Sequence, residues 1–278
     1  MKQGHASSGD ITLFYRSVGK GEPILFIHEY AGDHRSWDDQ IRYFSRYFQC
    51  ITFNARGYPP SDVPEDPEDY SMQQAAKDAM AVLHALDIDK AHIVGLSMGS
   101  FATLQMALDY PQACRSITVV GTGTGSEPES HHEYKNIFKR SAQQIKDLGM
   151  TEYVEQYALG PARQTLLNKD PVGWHLFKKH MAEHSPIGCR NTLIGVQSGR
   201  PSLWDLKDDL ANIDIPALLM TGDQDLPTLQ THLMLNQLLK RSGLAILPRS
   251  GHAINIEEPA LFNQLLQDFL FSVQNQKL

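Results

Sequence analysis

A short apolar run that meets Gly-x-Ser-x-Gly constrains this chain more than any other feature. The run Ala91–Leu96 predicts a buried strand, and Ser97 follows it between Gly95 and Gly99. Residues 98–109 then carry apolar side chains at helical spacing. A serine at such a strand-to-helix turn is exposed in front of a helix N-terminus, and the two glycines let strand and helix approach closely. The pattern therefore predicts an activated serine at position 97.

A nucleophilic serine needs a base to take its proton and an acid to orient that base. The apolar run Ile215–Met220 is followed by Asp223 and Asp225, and the run Leu244–Pro248 is followed by His252. Each group lies just past the C-terminal end of a predicted strand, where open α/β sheets carry their sites. The chain order Ser, Asp, His favours His252 as the base and one of the two aspartates as the acid.

These motifs, in this order, resemble the α/β-hydrolase family from about Ile11 to Phe271. The resemblance implies an α/β fold, with a mostly parallel central sheet flanked by helices and a helical cap inserted after the sixth strand. It implies Ser97 as the nucleophile and His252 as the general base. Asp225 is the implied acid, because the family's Gly-x-x-Asp pattern normally uses the second carboxylate, and Asp223 is the alternative.

The oxyanion of the reaction needs hydrogen-bond donors. One is the backbone N–H of Met98, where a helix begins and its dipole favours negative charge. The resemblance implies that the other comes from the loop after residues 23–27, where the family usually has His-Gly. This chain has His28-Glu29 there, so Tyr30 is the implied donor. We interpret His28 as a residue that organises the loop and Glu29 as a solvated loop residue; alternatively, Glu29 tunes pKa values or repels anionic substrates.

The N-terminal residues are expected to contribute little to the sheet. Met1–Ser8 is polar and is expected to fray, whereas residues 10–16 alternate apolar and polar side chains, as in an edge strand with one wet face. Met1–Ser8 also lacks the apolar run of a signal peptide, so we expect a cytoplasmic protein.

Residues 124–206 are helical and charged in pattern and contain no run typical of a core strand. The resemblance to the family implies that this segment is the cap and that residues 1–123 and 207–278 form the hydrolase core. A cap excludes water and supplies most substrate-facing side chains. The candidate pocket residues are His28, Glu29, Trp174, Arg190 and Trp204.

Several of these assignments have alternatives. Trp174 and Trp204 equally fit a small hydrophobic core inside the cap. Arg190 and Arg200 could bind a substrate carboxylate, although surface arginines are the simpler interpretation. His180 and His184 lack a metalloenzyme Glu arrangement and are interpreted as a solvated helical face, so the sequence indicates no metal. It indicates no cofactor either.

The composition limits the kinds of partner that this chain can bind. The chain has 278 residues, of which 41% are hydrophobic, enough for one large α/β core, and no stretch long enough to span a membrane. A net charge of −7 without a basic run argues against a nucleic-acid partner. The three cysteines are widely separated in sequence, which is typical of reduced thiols in the cytosol. We expect a monomer or homodimer that acts on a small molecule.

The sequence thus predicts a serine hydrolase that cleaves a small or medium organic ester or thioester through an acyl-enzyme. The same triad supports an alternative, hydrolysis of a carbon–carbon bond in a diketone-type product of aromatic ring cleavage. A more distant alternative is a non-catalytic binding protein for small molecules, but such a protein has no need of an aligned triad.

Overall fold

A computed structural model describes residues 1–276, in which eight strands form one sheet in the order β1-β2-β4-β3-β5-β6-β7-β8. The strands are β1 (Lys2–Ser8), β2 (Ile11–Val18), β3 (Pro23–Ile27), β4 (Gln49–Phe53), β5 (Ala91–Leu96), β6 (Cys114–Val120), β7 (Ala217–Gly222) and β8 (Ser242–Leu247). The pairs β1–β2 and β2–β4 are antiparallel, and every other pair is parallel. This is the predicted mostly parallel sheet.

Helices cover both faces of the sheet. They are α1 (Asp38–Phe44), α2 (Met72–His84), α3 (Met98–Asp109), α4 (Pro128–Ala158), α5 (Pro161–Lys169), α6 (Pro171–Ala182), α7 (Pro186–Asn191), α8 (Lys207–Leu210), α9 (Leu226–Leu238), α10 (Ile254–Glu257) and α11 (Pro259–Gln274). Successive side chains of a strand point to opposite faces. In β3, Leu25 and Ile27 therefore join the core with α2 and α3, whereas Ile24 and Phe26 join the core with α1 and α11.

The prediction that the N-terminus frays is wrong. Residues Lys2–Ser8 form β1, which pairs with β2 from Lys2 opposite Ser17 to Ser8 opposite Ile11. Gly9, with φ of +62°, closes the turn between the two strands. Consequently β1 is the edge of the sheet, and β2 is an inner strand.

Helices α4 to α7 fill the interval between β6 and α8, after the sixth strand as predicted. The first of them, α4, has 31 residues and is interrupted at Gly149, where φ is 76° and ψ is 171°. A π-helical turn, Thr192–Gln197, continues α7. The boundaries at 124 and 206 stay a prediction, and Lys277 and Leu278, which end the predicted core domain, lie outside the described residues.

Two kinds of feature are absent from the described part of the chain, residues 1–276. No helix there is long and apolar enough to cross a membrane. No three His, Cys, Asp or Glu side chains lie together so that they could hold a metal ion. The prediction that His184 lies on a solvated face is wrong: it is buried, and its Nε2 lies 3.3 Å from an Asp33 oxygen.

Candidate active site

Ser97 occupies a strained turn between β5 and α3. Its φ of 52° and ψ of −114° lie in a region that residues with side chains rarely adopt, at a cost of about 1–3 kcal/mol. Its N–H donates to the carbonyl of Val120 over 2.8 Å, and the Ser100 hydroxyl donates to its carbonyl. The surrounding backbone therefore holds Ser97 in this conformation.

The two glycines of the motif make the turn sterically feasible. A Cβ on Gly95 would stand 2.1 Å from the carbonyl oxygen of Gly99. A Cβ on Gly99 would stand 2.1 Å from the carbonyl oxygen of Ile27 in β3. Both distances are far inside van der Waals contact, so any side chain at either position would push α3 away from the sheet.

His252 and Asp225 meet beyond the ends of β8 and β7. The imidazole Nδ1 donates to the Asp225 Oδ2 over 2.7 Å, and both residues are buried. Burial raises the pKa of Asp225, whereas the charge and hydrogen bond of His252 lower it. The net pKa lies below the ordinary aspartate value, so the carboxyl stays ionised at neutral pH. Asp223 is exposed and accepts from the backbone N–H of Ser250 instead. The structure thus brings Asp225, and not Asp223, to the imidazole.

Opposing effects set the protonation of His252. Burial lowers its pKa, whereas the charge and hydrogen bond of Asp225 raise it, and the net pKa lies above the ordinary histidine value. The charge of Glu29 raises the pKa further and that of Arg163 lowers it. Because Nδ1 is committed to Asp225, Nε2 is the nitrogen available to exchange a proton.

Ser97, His252 and Asp225 line one cavity of about 360 Å³ between the sheet and helices α4 and α5. The cavity has aromatic walls, contributed by Tyr30, Phe101, Tyr134, Phe138, Tyr153 and Tyr157. Four of these six residues belong to α4. The residues that follow β6 therefore enclose the space in front of the serine.

The loop after β3 is held in place by His28. Its Nδ1 donates to the Glu29 carbonyl over 2.7 Å, and its Nε2 accepts from the Ala55 N–H over 3.0 Å, so the ring is neutral. Burial lowers the pKa of His28 to about 4. The hydroxyl of Tyr58 donates to the carbonyl of Tyr30 over 2.8 Å. Tyr30 lines the cavity with Ser97, and its N–H belongs to this fixed loop.

Met98 is the first residue of α3, where a backbone N–H has no acceptor inside the helix. It directly follows the candidate nucleophile, and the helix dipole adds positive potential there. Its amide can therefore donate to an oxyanion formed beside Ser97.

Comparison with known proteins agrees with this geometry. A model of the alpha/beta hydrolase fold family matches residues 22–259. The chain belongs to the α/β-hydrolase family. It is 25% identical over 259 residues, 91% of each chain, to a putative 2-succinyl-6-hydroxy-2,4-cyclohexadiene-1-carboxylate synthase of Bacillus subtilis. It is 25% identical over 262 residues to 3-oxoadipate enol-lactonase 2 of Acinetobacter baylyi, which covers 93% of this chain and 92% of the relative.

A solved structure shows the same fold. The enol-lactonase of Burkholderia xenovorans LB400 superposes with a TM-score of 0.85 at 21% identity, covering 96% of this chain and all of the other. The chain is therefore a hydrolase-fold protein along nearly its whole length.

In this α/β hydrolase, Glu29 is not solvated, contrary to the sequence interpretation. It is 3% exposed and forms an ion pair with Arg163 of α5, which is fully buried. The Arg163 guanidinium carbon also lies 4.5 Å from the centroid of the Phe177 ring. The ion pair thus ties the residue before Tyr30 to the helices over the cavity.

Arg200 is buried in the wall of the cavity that Ser97 and His252 line, contrary to the simpler interpretation of a surface arginine. Its Nη2 donates to the carbonyl of Thr124 over 2.7 Å, and its Nη1 donates to the side-chain oxygen of Gln197. Burial lowers the pKa of Arg200 to about 9, which leaves the guanidinium charged at neutral pH.

The five candidate pocket residues do not line this cavity, so that assignment needs correction. His28 and Glu29 are engaged as described above. Trp174 is buried in α6, and its indole N–H donates to the Ala158 carbonyl over 2.8 Å. Arg190 is half-buried and contacts the Asn191 side chain, and Trp204 lies under the ammonium of Lys207, 3.9 Å from the ring centroid.

Other residues line the cavity in their place, and the sequence did not predict them as site residues. Tyr134, Tyr153 and Tyr157 of α4 face the cavity, and Arg163 pairs with Glu29 across 134 positions of sequence. The sequence offers one weak signal for Arg163: a carboxylate stands at position 29 where the family usually has Gly, and a buried carboxylate requires a partner.

Proposed function

We propose that this α/β hydrolase cleaves esters or thioesters of small organic acids with Ser97 as the nucleophile. One observation carries the proposal: His252, oriented by a 2.7 Å hydrogen bond to Asp225, shares a cavity with a serine on a strained turn. A binding protein would gain nothing from this backbone strain and this buried pair.

In the first half of the proposed reaction, Nε2 of His252 takes the proton of the Ser97 hydroxyl. The oxygen of Ser97 attacks the carbonyl carbon of the substrate, and the carbonyl oxygen becomes an oxyanion. The N–H groups of Tyr30 and Met98 donate to that oxyanion, while ionised Asp225 stabilises the imidazolium. His252 then gives its proton to the departing alcohol or thiol, and an acyl group remains on Ser97.

In the second half, water replaces the alcohol. Nε2 of His252 takes a proton from the water, and the resulting hydroxide attacks the acyl carbon. The second oxyanion uses the same two N–H groups. When it collapses, the bond to Ser97 breaks, His252 returns its proton to the serine oxygen, and a free acid leaves.

The cavity limits the substrate. Its volume of about 360 Å³ is near the lower end of the range for small-molecule sites, about 300–1,000 Å³. The aromatic walls favour an apolar portion of the substrate next to the reacting carbonyl. The similarity to an enol-lactonase supports ester chemistry, because a lactone is a cyclic ester.

The test is turnover of 4-nitrophenyl acetate and 4-nitrophenyl butyrate by wild-type protein and by Ser97→Ala. We expect saturable hydrolysis with an initial burst of 4-nitrophenol, and loss of nearly all turnover in the variant. Thr103→Ser, a conservative change in the same helix outside the cavity, is the matched control and should keep turnover. Near-normal turnover by Ser97→Ala would exclude Ser97 as nucleophile. Absence of turnover by wild-type protein would contradict the ester proposal and favour trials with vinylogous diketones, the carbon–carbon bond alternative.

A further inference from the structure

Arg200 packs against α3, the helix that begins directly after the candidate nucleophile. Its guanidinium carbon lies 3.7 Å from the centroid of the Phe101 ring. Phe101 is one helical turn beyond Ser97, and its N–H donates to the Ser97 carbonyl over 3.2 Å. One turn rises about 5.4 Å along a helix axis. The guanidinium is therefore fixed against the same helix that positions the serine, in the wall of the cavity that Ser97 also lines.

The described residues, 1–276, give the charge of Arg200 no paired carboxylate. Its two hydrogen-bond partners, the Thr124 carbonyl and the Gln197 amide oxygen, are neutral. Within residues 1–276, no carboxylate lies within 4.0 Å of its guanidinium nitrogens. By contrast, the buried Arg56 and Arg163 are each paired with a buried carboxylate, Asp78 and Glu29.

A buried cation without a counter-charge is costly in a folded protein, and such exceptions concentrate at functional sites. A guanidinium has five N–H donors in a planar fork, and the two neutral acceptors use two of them. The fork matches a carboxylate, which accepts two parallel hydrogen bonds. The ligand would lie among aromatic walls, which suit an organic acid rather than an inorganic anion.

We infer that Arg200 is the binding site for a carboxylate of the substrate, so that the preferred ester carries a free carboxylate several bonds away from the scissile carbonyl. The inference rests on the proposed function, because it names the substrate class of the same cavity. It assigns Arg200 a role in specificity: it holds the anionic end of the substrate while Ser97 attacks the other end.

The alternative is that Arg200 only braces the cavity wall through the Thr124 carbonyl. A brace would affect charged and neutral substrates alike, whereas a carboxylate site would discriminate between them. The experiment therefore compares matched substrates. 4-Nitrophenyl monoglutarate carries the charge on the acyl side, and 4-nitrophenyl 5-methylhexanoate is its neutral isostere. 4-Acetoxybenzoate and 4-isopropylphenyl acetate form the corresponding pair for the alcohol side.

We expect wild-type protein to prefer the carboxylate member of at least one pair in kcat/KM. Arg200→Gln should lower kcat/KM for that member about 10- to 100-fold more than for its neutral isostere, mainly through KM, because a charged hydrogen-bond partner is lost. Arg200→Lys should keep part of the preference because it keeps the charge. Arg140→Gln, which removes an exposed arginine of α4, is the control and should change neither ratio.

Binding without turnover separates this inference from the proposed function. Glutarate and 4-hydroxybenzoate are titrated calorimetrically into wild-type protein and Arg200→Gln, and we expect at least one to bind wild-type protein about tenfold more tightly. If the esters are not hydrolysed but this difference is found, the proposed function fails and the carboxylate site stands. If esters are hydrolysed but wild-type protein prefers neither carboxylate member, the site is refuted and the hydrolase stands. The preference of wild-type protein for a carboxylate substrate is measured without any variant, so it tests the carboxylate site even if Arg200→Gln does not fold.

Discussion

Replacing Arg163 by methionine should destabilise the fold strongly, because it leaves Glu29 buried without its counter-charge. Arg163 is fully buried and Glu29 is 3% exposed, so water cannot solvate the orphaned carboxylate. Breaking a buried ion pair on one side costs about 3–5 kcal/mol. Methionine keeps the apolar length of the side chain against Phe177, so the loss isolates the charge rather than packing.

The double replacement Glu29→Leu with Arg163→Met should recover most of that loss. Nε and Nη1 of Arg163 are buried and have no hydrogen-bond partner in the part of the chain that the structure describes. The ion pair is therefore imperfectly satisfied, and apolar residues of similar volume often replace such pairs at no net cost. The two substitutions should be strongly non-additive, with a coupling energy of about 2 kcal/mol or more.

Urea unfolding followed by tryptophan fluorescence measures these free energies. The expected single-variant loss corresponds to a fall in Tm of roughly 6–20 °C for a chain of this size. Arg140→Met, on the exposed surface of α4, is the matched control and should change the free energy of unfolding by less than about 0.5 kcal/mol. A loss below about 1 kcal/mol in Arg163→Met, or a double variant as unstable as the sum of its singles, would refute the reasoning about this ion pair.

Three further predictions concern the candidate catalytic groups and the turn that holds Ser97. The value of kcat/KM should rise with pH through the raised pKa of His252, because the neutral imidazole is the base. Glu29→Gln should move this rise to lower pH, because it removes a charge that raises the pKa of His252. An unchanged pH profile in Glu29→Gln would contradict the electrostatic effect of Glu29 on His252. Asp225→Asn should lower ester turnover by about 10³-fold or more, whereas Asp223→Asn should lower it little, and the reverse order in steady-state assays would identify Asp223 as the acid. Gly99→Ala should lower the free energy of unfolding by at least about 1–3 kcal/mol in urea titrations, because its methyl group overlaps a carbonyl of β3; a fully stable, active variant would refute the steric argument.

The sheet, and the place of Ser97, Asp225 and His252 at one edge of it, were predictable because their signals are local. Strands β3 and β7 each carry a run of four apolar residues, and the residues that follow β5, β7 and β8 lie at one edge of the sheet by topology. The edge strand β1 escaped prediction because only Ala6 of its residues is fully buried. A strand that is exposed along most of its length carries no hydrophobic pattern.

The cavity-lining side chains of the helical segment after β6 escaped prediction for a different reason. Arg190 and Arg200 lie ten positions apart in a helix-rich segment, and only Arg200 reaches the cavity. The π-helical turn Thr192–Gln197 lies between them and adds a residue to the turn, which changes the face that later side chains occupy. Regular helical spacing counted from Arg190 therefore gives the wrong face for Arg200. The pairing of Glu29 with Arg163 joins distant parts of the chain. Its one signal, a carboxylate where the family usually has Gly, does not indicate which residue is the partner.

Covalent labelling with a fluorophosphonate, read by intact mass and peptide mapping, tests the central claim most directly. An activated serine attacks the phosphorus and displaces fluoride, so the account predicts one adduct per chain, located on the peptide that contains Ser97. Labelling should be slowed strongly in His252→Gln and abolished in Ser97→Ala. An adduct on a different residue, or wild-type protein that stays unlabelled while it remains folded, would contradict the claim that Ser97 is a nucleophile activated by His252.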